Sequence, residues 1–273
     1  MFQTRINRSK RHSLIGMLEV TYHTIVRNLR TGHRNAVVGM LLNMVQGLTL
    51  VAAFFFIFQL LGLRSSPIRG DFLLFIMSGV FLYLTHIKSV SAVMSAGSPT
   101  APMNLHAPMN PVIAIISAAL ATLYTQLFTI IVVLSIYHIA FTPVVIDDPI
   151  PALGIFILAW FSGCAVGTIF LSLNPWFPNF TPIAKNLYVR INMIASGKMF
   201  VVNTLPATMV ALFDWNPLFH IIDQMRGFVF LHYNPHVTSI SYPVYVSLTL
   251  LVLGMMGEFY SRRHVSLSWF AGR

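Results

Sequence analysis

The chain has 273 residues, 56% of them hydrophobic and 9% charged, with a formal net charge of +10. Several apolar stretches exceed the roughly 18 residues that suggest a membrane-spanning helix, so an ordinary water-soluble domain is excluded and an integral membrane protein is predicted. The positive charge gathers at the two ends rather than on one folded face, which reads as membrane topology and not as a nucleic-acid footprint; a lone cysteine, Cys164, excludes an intrachain disulfide.

A basic tail opens the chain (Arg5, Arg8, Lys10, Arg11), but no short apolar segment with a small-residue cleavage site follows it, so a cleaved leader is not expected. From Leu14 to Arg34, helical spacing puts Leu14, Leu18, Tyr22, Ile25 and Leu29 on one face and Glu19, His23, Arg27, Arg30 and Arg34 on the other. That pattern predicts an amphipathic helix in the membrane–water interface, with its cations toward anionic headgroups; a solvated helix packed on another domain is the alternative. Five runs then read as spans: Ala36 to Leu63, Phe72 to Ala96, Val112 to Phe141, Ala152 to Leu173 and Tyr242 to Tyr260. A sixth span is expected over Pro182 to Leu205, although Arg190 and Lys198 lie inside it.

Six spans leave both termini on one side, and ten basic residues in the two tails make that side cytoplasmic by the positive-inside rule. The loop "TPVVIDDPIP" carries Asp147 and Asp148 and no lysine or arginine, as an external loop would; Arg64 and Arg69, in the first external loop, run against the rule. The fold class expected is thus all-α: a single membrane domain over 1–273, with a cytoplasmic tail and interfacial helix over 1–35, a six-span region over 36–260 and a cytoplasmic tail over 261–273.

Before the last span comes "NPLFHIIDQMRGF", Asn216 to Phe228. Asn216 can accept from early helix amides and Pro217 suits a first helical position, so a helix begins here. Leu218, Ile221, Ile222, Met225 and Phe228 share one face and His220, Asp223, Gln224 and Gly227 the other. Too short and polar to span, it is predicted as a re-entrant or surface helix at the external side, with Asp223 and Arg226, three apart, neutralising each other.

The stretch "RINMIASGKMFVVNTLPATMVALFDWNPLFHIIDQMRGF", Arg190 to Phe228, resembles the permease subunits of ABC type-2 exporters, most closely those that export capsular polysaccharide and O-antigen. The shared features are a Ser-Gly pair in the fifth span (Ser196, Gly197), a Leu-Pro break (Leu205, Pro206), an external hairpin of short helices, and an Asn-Pro-Leu stretch (Asn216, Pro217, Leu218) ending near Arg226. In organisation the resemblance covers nearly the whole chain. The loop Ser95 to Val112 stands where the capsule exporters carry a cytoplasmic coupling segment, and Pro108, Asn110 and Pro111 match its proline-containing turn. The arginine and acidic residue that usually follow are absent from "AIISAALATLYTQ".

The resemblance implies a homodimeric permease in a bacterial inner membrane, moving a polysaccharide or glycolipid and driven by two copies of a cytoplasmic P-loop ATPase. No cofactor is expected in this chain; ATP and Mg belong to the partner, since no G-x-x-x-x-G-K-[ST] loop occurs here. The ATPase would dock on the loop Gly97 to Asn110, in preference to the amphipathic N-terminal helix, and the hairpin helix of Asn216, Pro217, His220, Asp223 and Arg226 would shape the external mouth. Charges inside spans demand explanation at ~2.5–3.5 kcal/mol each on insertion scales. Arg190 and Lys198 are therefore candidates for the translocation pathway of an anionic cargo, with snorkelling to the nearer interface as the alternative for both, while Lys88 fits snorkelling. No HExxH or G-x-S-x-G pattern appears, and Pro235 interrupts the His232–His236 spacing, so neither a catalytic metal nor a nucleophile is expected. Exporters of a drug, lipid or small amphiphile, an integral membrane enzyme, and a non-transporting scaffold are the alternatives.

Overall fold

Apolar runs bounded by proline, glycine or acidic residues become long helices wherever nothing interrupts their hydrogen-bond ladder, and this chain is built almost entirely of them. A computed structural model describes residues 10–30, 36–60, 62, 68–96 and 111–264. In chain order these form α1 (Lys10–Arg30), α2 (Ala36–Leu60), α3 (Phe72–Ala96), α4 (Pro111–Ala140), α5 (Pro149–Leu173), α6 (Phe180–Ala195), a 3₁₀ turn (Val202–Thr204), α7 (Ala207–Phe213), α8 (Pro217–Val229) and α9 (Ser241–His264).

Five of these helices, α2, α3, α4, α5 and α9, are long and apolar enough to cross a membrane, each having 24 or more residues against the ~20 that a bilayer needs. The protein is an all-α, multi-pass membrane protein. The sixth span expected over Pro182 to Leu205 is different: α6 has 16 residues, about 24 Å at 1.5 Å per residue, and stops at Ala195. Its end is set by Gly197, whose φ of 75° lies in the left-handed region that a helix cannot continue through.

At the centre lies α3, buried along most of its length. Parallel to it runs α5, and the two approach closely because Gly163 and Gly167 face His86 and Val93 with no side chain between; a Cβ on Gly163 would fall on the His86 carbonyl. On the other side of α5, Gly254 and Gly257 of α9 meet Thr168 and Ser172 in the same way, again in parallel register. Trp176 Nε1 donates to Ser261 Oγ at 2.6 Å, which in turn donates to the Ser172 carbonyl at 2.9 Å, fastening the ends of α5 and α9. Antiparallel to this frame, α2 and α4 pack on α3, with Phe58 of α2 against Phe72 and Tyr137 of α4 bonded to Asp71.

The expected N-terminal helix is present as α1. It packs on α4 through Thr24 and the Thr21 carbonyl, which accepts from Ser117, and leaves Leu18 and Tyr22 of its predicted apolar face 71% and 63% exposed.

Candidate functional site: a broken helix and its buried cations

Where α6 stops, the chain must satisfy the carbonyls that a continuing helix would have bonded, in a segment whose residues Ala195, Ser196 and Lys198 are buried. Two cations do so. Lys198 is 2% exposed, and its Nζ donates to the Met193 carbonyl in the last turn of α6 at 2.5 Å. The ammonium stands 3.7 Å from the Tyr83 ring centroid and 5.3 Å from that of Phe54, so aromatic faces shield its remaining charge. Gly79 of α3 makes the room: a Cβ there would lie 2.8 Å from Lys198 Cβ.

Arg226, fully buried on α8, closes over the next carbonyls. Its Nη1 donates to Gly197 O at 3.0 Å and Phe200 O at 2.6 Å, its Nη2 to Lys198 O at 2.8 Å, and the guanidinium lies 4.1 Å from the Phe75 ring centroid. Burial pulls its pKa down to about 10, so it stays cationic at neutral pH. Helix α6 thus ends in a collar of carbonyls held by a lysine and an arginine, a favourable match for the negative end of a helix dipole.

Asp223 and Arg226 do favour each other's charged forms, as expected, but through space: no direct ion pair joins them among the described residues. Asp223 instead accepts from the Tyr233 hydroxyl and, at 2.7 Å, from Thr238 Oγ1. Burial raises its pKa against those bonds. The reason is geometric. Arg226 reaches back to residues 197–200, while Asp223 faces the returning segment 230–240. The helix is two-faced only in part. Of its expected polar side Gln224 and Gly227 are half-buried, but His220 (4% exposed) and Asp223 (0%) are as buried as Leu218, Ile221 and Ile222 at 0%, because α8 sits among α3, α5 and α9 with the return segment laid over it.

Its N-terminus behaves as expected. Asn216 Oδ1 accepts from Leu218 N at 3.0 Å and Pro217 is the first helical residue. Asn216 Nδ2 also donates to Asn192 Oδ1 and the Ala195 carbonyl, both at 3.0 Å, tying α8 to the last turn of α6. His220 is engaged at both nitrogens: Nδ1 accepts from Ser239 N at 3.2 Å, so Nε2 carries the proton and donates to the Asp214 carbonyl at 2.8 Å. It is a bracket, with no free nitrogen to act as a base. His232 and His236 are exposed, and no cluster of metal-ligating side chains occurs among the described residues.

The second pathway candidate differs from the first. Arg190 is exposed, and among the described residues no hydrogen bond or ion pair involves it. Its depth follows from its neighbours: the Val189 carbonyl accepts from Tyr83 OH at 3.1 Å, and Tyr188 OH lies 2.8 Å from His86 Nε2. Tyr83 and His86 are 11 and 14 residues into the 25-residue α3, about 17 and 21 Å along a 37 Å helix, so Arg190 is level with the middle of the span. Asn186, four residues before it, shares its side of α6 together with the exposed Ile183, Leu187 and Ile194, whereas the half-buried Lys185 points well away; only Thr181, Asn192 and Ala195 of this helix are buried.

A feature that sequence reading missed lies at the same depth. His86 joins three helices, with Nδ1 2.8 Å from Ser162 Oγ on α5 and Nε2 bonded to Tyr188 of α6. One histidine in an apolar run was the available signal; nothing in the spacing reveals its two partners. Lys88, read as snorkelling, is half-buried and donates to Asn43 Oδ1 of α2 at 2.5 Å. Of the coupling segment, Pro108 and Asn110 lie outside the described residues, and Pro111 is the first residue of α4.

No protein-family model matches the chain, and no curated protein matches it.

Proposed function

We propose that this chain is the membrane-spanning subunit of an ATP-driven exporter that moves a polysaccharide or glycolipid across a bacterial inner membrane. The observation that carries the reading is Arg190. A cation level with the middle of the span costs ~2.5–3.5 kcal/mol if it faces lipid, and it has no partner among the described residues, so its side of α6 faces water, an anionic cargo or a second copy of the chain. A homodimer with α6 at its seam gives all three: Asn186 and Arg190, four residues apart on one face, then line an aqueous route whose positive charge suits an anionic glycan or glycolipid phosphate.

In this reading α6 and the collar after it complete a sixth crossing, both termini are cytoplasmic, and α1 lies in the inner interface with Leu18 and Tyr22 in lipid. Two copies of a separate P-loop ATPase drive the dimer, docking on the segment 97–110 with Pro108, Asn110 and Pro111. Lys198 and Arg226 act from inside each protomer, holding the end of the broken helix at the edge of the route; α8, through Asn216, Pro217, His220, Asp223 and Arg226, fixes the external mouth. With His220 occupied at both nitrogens, an enzyme using it as a base is the weaker reading.

The deciding experiment is mild affinity purification of the tagged protein from its native membrane, with mass spectrometry and an ATPase assay. A near-stoichiometric P-loop ATPase, weakened when 97–110 is altered, is the expected result. If none is retained after cross-linking, the exporter reading fails.

A further inference from the structure

A groove of about 410 Å³ lies between α2, α3 and α4, lined by carbon: Val51, Met77 and Val133 form its floor, and Leu48, Ile136 and Phe141 its exposed rim. With no polar lining, nothing inside it can orient a sugar or a nucleotide, and water has too few partners to fill it. A dry cavity of about 150 Å³ accepts a six-carbon ring, so by proportion this one takes about sixteen carbons, the length of a lipid chain. Its lining residues on α3, Leu73 and Met77, lie within the first two turns of that helix, so the groove opens sideways near one end of the span.

A carboxylate stands at that end. Tyr137 lines the groove and donates its hydroxyl to Asp71 Oδ2 at 2.5 Å; Thr142 Oγ1 donates to the same oxygen at 2.5 Å, and Leu73 N to Oδ1 at 2.8 Å. Asp71 is half-exposed, and among the described residues no cation pairs with it. Burial raises its pKa, but these donors, together with the Leu74 amide, outweigh that and hold it below the ordinary 3.8, so it is ionised at neutral pH. A fixed negative charge at the mouth of an apolar groove selects a headgroup that brings a cation and repels one that is wholly anionic.

We propose that this groove holds one acyl chain of a bilayer aminophospholipid, such as phosphatidylethanolamine, with the headgroup ammonium on Asp71. The inference needs only that the chain spans a membrane and stands or falls apart from the exporter reading. The same carboxylate disfavours an anionic glycolipid phosphate, so the groove is a site for a resident lipid and not for cargo.

The test is native mass spectrometry of the full chain, purified in mild detergent and exchanged against an equimolar mixture of phosphatidylethanolamine and phosphatidylglycerol with matched chains. One retained phosphatidylethanolamine is expected, in about tenfold preference over phosphatidylglycerol, a difference that one charge contact supplies. Asp71→Asn should keep a lipid but lose the preference, and acidification through the carboxylate range should do the same, because protonation removes the charge. Ala52→Trp, from the exposed side of the groove, should expel both lipids; if that variant does not fold, Leu48→Trp serves instead. Retention of neither lipid by the unsubstituted chain, equal or reversed preference, a prenyl phosphate in its place, or undiminished retention after the groove is filled would each overturn the proposal.

Discussion

Replacing Arg226 with methionine tests whether the buried cations are scaffold or cargo contacts. The substitution nearly keeps the volume but strips the donors from Gly197 O, Lys198 O and Phe200 O, all held at 2.6–3.0 Å. Each buried acceptor left unsatisfied costs ~1–3 kcal/mol. Relaxation of residues 197–200 and release of the guanidinium's own desolvation offset part of that, so the net loss should be ~3–5 kcal/mol, the range seen when one partner of a buried charged contact is removed. At ~2–4 °C per kcal/mol for a domain of 150–250 residues, that is a fall of roughly 6–20 °C in apparent melting temperature. Thermal unfolding in detergent, followed by tryptophan fluorescence, reads it directly, because Trp215 immediately precedes Asn216, the cap of α8. Arg226→Lys keeps the charge without the fork and should lose about half as much. A methionine variant that melts within ~1 kcal/mol of the parent yet cannot export would refute the scaffold assignment and place Arg226 on the cargo.

Arg190→Gln should leave the melting temperature unchanged and lower export, whereas Lys198→Met should lower the melting temperature first; the opposite pattern in paired melting and export assays would reverse the roles given to them. Gly163→Ala should destabilise by ~1–3 kcal/mol because its Cβ meets the His86 carbonyl. Gly154→Ala, with nothing within 4 Å, should be neutral or stabilise by up to ~1 kcal/mol in the same denaturation series. His86→Ala removes the link to Tyr188 of α6, while Ser162 Oγ keeps its bond to the Ala159 carbonyl within α5, so amide hydrogen exchange should speed up in α6 while α3, α5 and α9 keep their protection; uniform acceleration would mean that His86 supports the whole bundle.

The long helices were legible because an apolar run of 24 or more residues has one solution in lipid, and their bounds follow the proline and acidic punctuation at Asp71–Phe72 and Asp148–Pro149. Asn216–Pro217 announced the start of α8 for the same local reason. What sequence could not show was where side chains turn. Helical spacing divides α8 into an apolar and a polar face, but a segment folded back over it also buries His220 and Asp223 of the polar one, and the hydrogen-bond partners of Asp223 and Arg226 come from residues 197–200 and 233–238, not from each other. Arg190 and Lys198 look alike in an apolar run. Only the break at Gly197 separates them, turning one inward among Tyr83 and Phe54 and leaving the other outward on α6.

That separation gives the bundle two mechanical parts. Glycine contacts interlock α3, α5 and α9, and shape-matched contacts of this kind have no room to slide without steric clash. In contrast, α6 meets the frame chiefly through a few polar contacts: Tyr83 to Val189, His86 to Tyr188, and Asn192 with Ala195 to Asn216. Hydrogen bonds can be exchanged for others, with net costs of ~0.5–1.5 kcal/mol each, whereas overlapping backbones cannot. If ATP-driven work moves one element against the rest, α6 is the element whose displacement costs least, and it carries the exposed Arg190. Its far end, capped by Lys198 and Arg226, would stay anchored in α3 and α8, making Gly197 the point about which the helix turns.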